Sequence, residues 1–253
     1  MKILITLGLI LGAALLSQPV LEAAKGHEVR FRKITLDREF RSEGVAIGDI
    51  NRDGKMDIMA GNLWYEAPSW TPREIAKAGK FDAAGGYSNS FVNFAQDINH
   101  DGFIDQILID TPGKPPVLWR ENPGRSGGYW KEHLIAANAC NESPTVGVLS
   151  GAGKSKALIF AINDSQMAWW EPANDPLLPF LMHPISVKSP AATAKADGVY
   201  RYSHGLGVGD LNGDGRGDAL PPRMATTYRP FRVQRQLGAQ EGSRSFSTED
   251  AGE

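Results

Sequence analysis

Short apolar runs recur along the chain, each closed by a cluster of Gly, Pro, Asn or Asp. The first kind, "GVAIGD", "FVNFAQD", "TVGVLS" and "GLGVGD", opens near residues 44, 91, 145 and 204. After a polar loop comes a second kind, "DIMAGN", "DQILIDT" and "KALIFAI". A third is aromatic and ends in Glu and Pro: "LWYEAP" (63–68), "LWRENP" (118–123) and "AWWEPA" (168–173). A fourth reads "YWKEHLI" (129–135) and "FLMHPIS" (180–186). Runs of roughly four to eight β-rich residues between turn residues read as strands. No convincing amphipathic helix of about 12 residues or more follows the N-terminal segment. The pattern predicts an all-β chain of repeated four-stranded units, each about 50 residues long. The segment 28–37, "EVRFRKITLD", reads as a fourth strand that lacks its own first three.

The loops between the first and second strands carry the chemistry. They read "GDINRDGKMD" (48–57), "QDINHDGFID" (96–105) and "GDLNGDGRGD" (209–218). Asp49, Asn51, Asp53 and Asp57 hold positions 1, 3, 5 and 9 of the first loop. Asp97, Asn99, Asp101 and Asp105 hold them in the second, and Asp210, Asn212, Asp214 and Asp218 in the third. Calcium takes six to eight hard oxygen ligands in a flexible cage. Alternate side chains turn three oxygens inward. A glycine at position 6 allows the sharp turn, and the carbonyl of position 7 (Lys55, Phe103 or Arg216) adds a backbone ligand. Three clustered carboxylates repel one another, which a divalent cation offsets. An EF-hand would need an acid at position 12 and flanking helices. Position 12 is Ala60, Leu108 and Pro221, and the flanks are strands. Turn propensity alone explains one acidic loop, but not Asp at position 9 in all three. A degenerate copy at 147–162, "GVLSGAGKSKALIFAI", has Val148, Ser150, Ala152 and Lys156 at the ligand positions and is expected to hold no ion.

These loops and strands resemble FG-GAP/VCBS repeats, the calcium-binding blades of integrin-type β-propellers. With "NESPT" (141–145) and the 202–218 stretch, the aromatic segments resemble secreted bacterial proteins of that repeat family. The resemblance covers roughly residues 28–220. It implies a β-propeller of four-stranded blades, with Ca2+ at the positions named above. Seven blades, common in the family, would need about 350 residues. About four units are recognisable here, so an incomplete, truncated propeller is expected. After Asp218 the strand pattern breaks. Residues 221–253 read as an irregular tail, disordered or frame-shifted, with few aliphatics.

Composition adds limits. The chain has 253 residues and a net charge of −2, with no block of Lys or Arg in its body to meet a nucleic acid. Lys2 and the apolar run 3–16 are too short to span a bilayer at about 20 residues. They read as a signal peptide over 1–23, so the expected location is secreted or periplasmic with no membrane attachment after its removal. The single cysteine, Cys140, reads as a small buried hydrophobe.

Two functions remain open. One is a non-enzymatic calcium-dependent binding module whose partner is a carbohydrate or a protein, with self-association through exposed blade edges. The other is a sugar-processing lyase or isomerase resembling aldos-2-ulose dehydratase propellers. Its candidate residues are Glu43 and His204, which precede a first strand in "SEG" and "SHG". Without a triad, a phosphate loop or a histidine cluster, the reading leans away from an enzyme. The aromatic segments read as packing between units rather than as sugar-stacking platforms.

Overall fold

The computed structural model describes residues 30–149, 156–211, 213, 217–220 and 231–232. The chain divides into two compact units, Met1–Thr35 and Leu36–Glu253. Of the first, residues 30–35 are described and carry no strand. Among the described residues of the second are fifteen strands and one 3₁₀ turn, Gly124–Ser126. None of the described helices is long and apolar enough to cross a membrane.

The strands form four antiparallel sheets in chain order. The first contains β1 (Ala46–Gly48), β2 (Asp57–Ala60), β3 (Leu63–Glu66) and β4 (Thr71–Glu74). The second contains β5 (Val92–Gln96), β6 (Asp105–Ile109), β7 (Val117–Glu121) and β8 (Lys131–Ala136). The third contains β9 (Cys140–Gly147), β10 (Ala157–Ile162), β11 (Gln166–Glu171) and β12 (Leu181–Pro184). The fourth has three strands, β13 (Gly207–Gly209), β14 (Asp218–Leu220) and β15 (Phe231–Arg232). Every strand pairs with its chain neighbour, so each sheet is a meander built from local hairpins.

Each sheet buries a face on the next. Ile50, Met59, Ile75 and Trp130 join the first to the second. Ile107, Trp119, Leu158, Phe160 and Trp170 join the second to the third. Ile159, Met167, Trp169 and Ala219 join the third to the fourth. A middle strand is therefore covered on both faces, which is why β6 is buried at all five positions and β10 at its first five. Such strands lose the apolar–polar alternation of a half-exposed sheet. The last strand of the first sheet, β4, is exposed throughout. Its "TPRE" sequence suits an outer edge, where polar side chains and Pro discourage pairing with another chain.

Two expectations meet a different outcome. No strand forms over 30–37, and Phe31 stands 93% exposed. A strand exists only by exchanging backbone hydrogen bonds with a neighbour, and none of the described sheets takes this segment as a member. Conversely, the fourth sheet continues past the predicted break: β14 begins at Asp218, and β15 lies inside the stretch read as an irregular tail. The rest of residues 221–253, and the segment 1–23 read as a signal peptide, lie outside the described residues.

Candidate metal-binding loops

The β1–β2 and β5–β6 connections fold alike. Gly54 and Gly102 at position 6 have φ of 84° and 88°, a left-handed turn that glycine adopts at no steric cost. In the first loop Asp49 accepts the N–H groups of Asp53 (2.9 Å) and Gly54 (3.0 Å). Asn51 Oδ1 accepts Asp53 N–H at 3.1 Å. Asp53 Oδ1 accepts Lys55 N–H, and its Oδ2 pairs with Lys55 Nζ at 2.8 Å. The Lys55 hydrogen bonds hold the Asp53 carboxyl below its ordinary range. In the second loop Asp97 Oδ2 accepts Gly102 N–H (3.0 Å), Asn99 Oδ1 accepts Asp101 N–H (3.1 Å) and Asp101 Oδ1 accepts Phe103 N–H (2.8 Å). Phe103 brings no cation to its loop. Instead Arg52 of the first loop lies over its ring at 5.2 Å, so the two loops are neighbours.

The position-9 aspartates have a role that spacing did not reveal. Asp57 and Asp105 are fully buried. Asp57 accepts Ile50 N–H (3.0 Å) and Ala67 N–H (2.8 Å). Asp105 accepts Ile98 N–H (2.9 Å) and Asn122 N–H (2.8 Å). Each carboxylate pins the start of its loop to the end of the third strand. Asp218 repeats half of this through Leu211 N–H at 3.1 Å. Burial pushes the Asp105 carboxyl from 3.8 up to about 7, against the pull of its two N–H donors and helped by Asp101 and Asp97. Asp57 moves the same way for the same leading reason.

The oxygens present suit a hard cation. Among the described residues, the carboxylates do not converge into a ready-made cluster of three. The donor set is nonetheless all oxygen, and Asp97 Oδ1 is buried with no hydrogen-bond partner. A buried, unpaired carboxylate oxygen is costly, a cost that a cation bound in the loop would relieve. In the third loop Asp210 Oδ1 accepts Gly213 N–H at 2.8 Å. Asn212, Asp214 and Arg216 lie outside the described residues, as do Ser150 and Ala152 of the degenerate copy.

Behind the loops stands a repeated pair on the third and fourth strands. His133 stacks on Trp119 (centroids 4.3 Å apart) and its Nε2 meets Glu121 at 2.8 Å. His183 stacks on Trp169 (3.9 Å) and meets Glu171 at 3.0 Å. In the first unit Arg73 takes the place of the histidine and binds Glu66 Oε2 through Nε and Nη2. The tryptophan faces are thereby occupied: Trp119, Trp169 and Trp170 are buried, and Trp64 packs against the first inter-sheet core.

Glu43 and His204 each contact a different partner. Glu43 accepts the N–H (2.8 Å) and the hydroxyl of Ser88. His204 is exposed and meets Glu142 through Nδ1 at 3.1 Å. Cys140 is buried, and burial pushes its thiol up to about 12, which removes it as a nucleophile. A buried polar chain also links the first two sheets. Gln106 Nε2 donates to Gly61 O (2.7 Å) and Asn93 Oδ1 (2.8 Å), and Arg120 Nη1 reaches Gln106 and Asn62. A lone Gln in an apolar strand carries no sequence pattern that marks such a role.

The second loop also borders a cleft of about 630 Å³, lined among others by Asp97, Asn99, His100, Lys156 and Pro172. At the first loop the corresponding space is narrower, about 300 Å³. There Asn122 donates to Ile50 O at 3.0 Å. Pro172 follows Glu171 as Asn122 follows Glu121, and its side chain has no N–H to give.

No family model matches the chain, and no curated protein matches it. Among solved structures, it resembles an Agrocybe aegerita lectin described as specifically recognising non-reducing terminal N-acetylglucosamine. The identity is 19% and the TM-score 0.41, over 69% of this chain and 45% of that one. The chain thus spans less than half the length of that structure.

Proposed function

We propose that this chain is a secreted, calcium-binding FG-GAP/VCBS-type β-propeller module that binds a partner rather than catalysing a reaction. The four sheets are its blades, and the acidic loops hold Ca2+ that fixes the blade turns. Asp49, Asn51, Asp53 and Asp57 ligate in the first loop, with the Lys55 carbonyl. Asp97, Asn99, Asp101 and Asp105 ligate in the second, with the Phe103 carbonyl. The third loop repeats the set through Asp210, Asn212, Asp214, Asp218 and the Arg216 carbonyl. One observation carries the reading: two loops 48 residues apart share the same oxygen arrangement, and in the second an Asp97 oxygen is buried unpaired.

The lyase alternative finds less support, because Glu43 and His204 each have a separate partner. A carbohydrate or protein partner sits on the loop side, with the cleft beside the second loop offering concave polar space. The exposed Val45 and Ile47 of the first unit are the surface for self-association.

The test is a thermal melt of the full chain in EDTA and then in millimolar calcium. Extracellular calcium modules have dissociation constants of about 10⁻⁴–10⁻³ M. Ion at ten times that value adds about 1.4 kcal/mol per site, so three loops add about 4 kcal/mol. For a chain of this size that raises the midpoint by roughly 8–16 °C. An unchanged midpoint in a cooperative melt overturns the calcium assignment.

A further inference from the structure

The third-strand glutamates divide their two oxygens between different partners. Glu66 Oε1 accepts Asn51 Nδ2 at 3.1 Å, while Oε2 holds Arg73. Glu121 Oε1 accepts Asn99 Nδ2 at 3.3 Å, while Oε2 meets His133. Asn99 Nδ2 has a second acceptor, Asp101 Oδ2, at 3.2 Å. An asparagine amide presents a donor on one side and an acceptor on the other. With its NH2 held by the glutamate, its oxygen turns into the loop, where it accepts the position-5 N–H in both units. A flipped amide would set its oxygen against the carboxylate and its NH2 against that backbone N–H. The wrong face would then meet a cation.

We infer that Glu66 and Glu121 are positioning residues for calcium: each fixes its loop asparagine so that Oδ1, and not Nδ2, faces the ion. The inference rests on the calcium reading and extends it to residues 15 and 22 positions away from the amides they orient. Arg73 and His133 hold the carboxylates in turn, and the stacked Trp119 fixes the His133 ring. The third unit supplies an internal control. Glu171 and His183 keep the same pairing, yet the neighbouring loop sequence has no Asp or Asn between residues 147 and 156. The Glu–base pair therefore recurs in a hairpin whose preceding loop carries no asparagine amide.

Calcium titration calorimetry on the full chain tests this, with melts in EDTA alongside. The E66A/E121A chain is expected to bind calcium about 10- to 100-fold more weakly than wild type, the range for removing outer partners of metal ligands. E121Q, whose oxygen can accept Asn99 Nδ2 while its NH2 donates to His133 Nε2, is expected to stay near wild-type affinity, whereas E121A weakens the second loop. E171A is expected to lower the melting temperature in EDTA and leave calcium affinity unchanged. Wild type that binds calcium while E66A/E121A binds equally well overturns the inference and leaves the calcium reading standing. E121Q that binds as weakly as E121A also overturns it, since charge and not orientation would then be the cause. Wild type that takes up no calcium removes the calcium reading itself, and this inference with it.

Discussion

Asp105 shows how one buried side chain ties two segments together. Its carboxylate accepts two buried N–H groups, those of Ile98 and Asn122. Leaving a buried donor unsatisfied costs about 1–3 kcal/mol, so D105A is expected to lose roughly 2–4 kcal/mol even in EDTA, measured by urea unfolding. Asp101 is exposed and accepts only local loop donors, so D101A is expected to lower stability chiefly when calcium is present. The pH dependence of Asp105 has a definite sign. Its folded value, about 7, lies above its ordinary 3.8, so the fold favours the protonated form. That contribution is fully present below about pH 4 and is lost as pH rises through about 7. In EDTA, urea midpoints should fall between pH 5 and pH 8, and D105N should flatten this change. The acidic spacing was legible in the sequence. The pinning role was not, because the N–H donors come from residues 7 positions before and 17 after Asp105.

Among the strands, the third carries the largest side chains and the sharpest consequences. Trp119 has no exposed surface and lies between the second and third sheets. W119A is expected to cost about 3–5 kcal/mol, the usual range for deleting a buried aromatic. W64A, at a half-buried site, should cost less. Both are read from urea unfolding. The hairpins were legible because turn residues punctuate each run and β-branched or aromatic residues fill it. The "LWYE", "LWRE" and "AWWE" segments also disclosed their packing role, because they return at one place in each unit. That His133 lies flat on Trp119 depends on the cross-strand register Trp119↔His133, which periodicity does not specify.

The sheets meet closely enough that some contacts admit only glycine. A Cβ at Gly44 would lie 2.7 Å from Phe91 O and 3.2 Å from Val92 Cα, backbone atoms at the entrance to the second sheet. G44A is therefore expected to force the first and second sheets apart, at about 1–3 kcal/mol as for other overpacked sites. Hydrogen exchange should register it as lost protection in β1 and β5, which a local effect confined to the β1 turn would not produce. Since neighbouring sheets share apolar cores, the substitution should also lower the midpoint of the whole cooperative transition.

Local order along this chain comes from its sequence alone. Short apolar runs, turn residues between them and Asp at positions 1, 5 and 9 define strands, hairpins and oxygen-rich loops, because each depends on neighbours a few residues apart. Membership of a sheet is different. Residues 30–37 have a strand-like pattern and no strand, while β15 forms from two residues in a stretch without one, since a strand requires a paired neighbour as well as its own pattern. The same holds for Asp105, Gln106 and Glu121. Their residue types were visible from the start, but burial and partners brought in from other strands and sheets made the first a pin, the second a buried bridge and the third the holder of a loop amide.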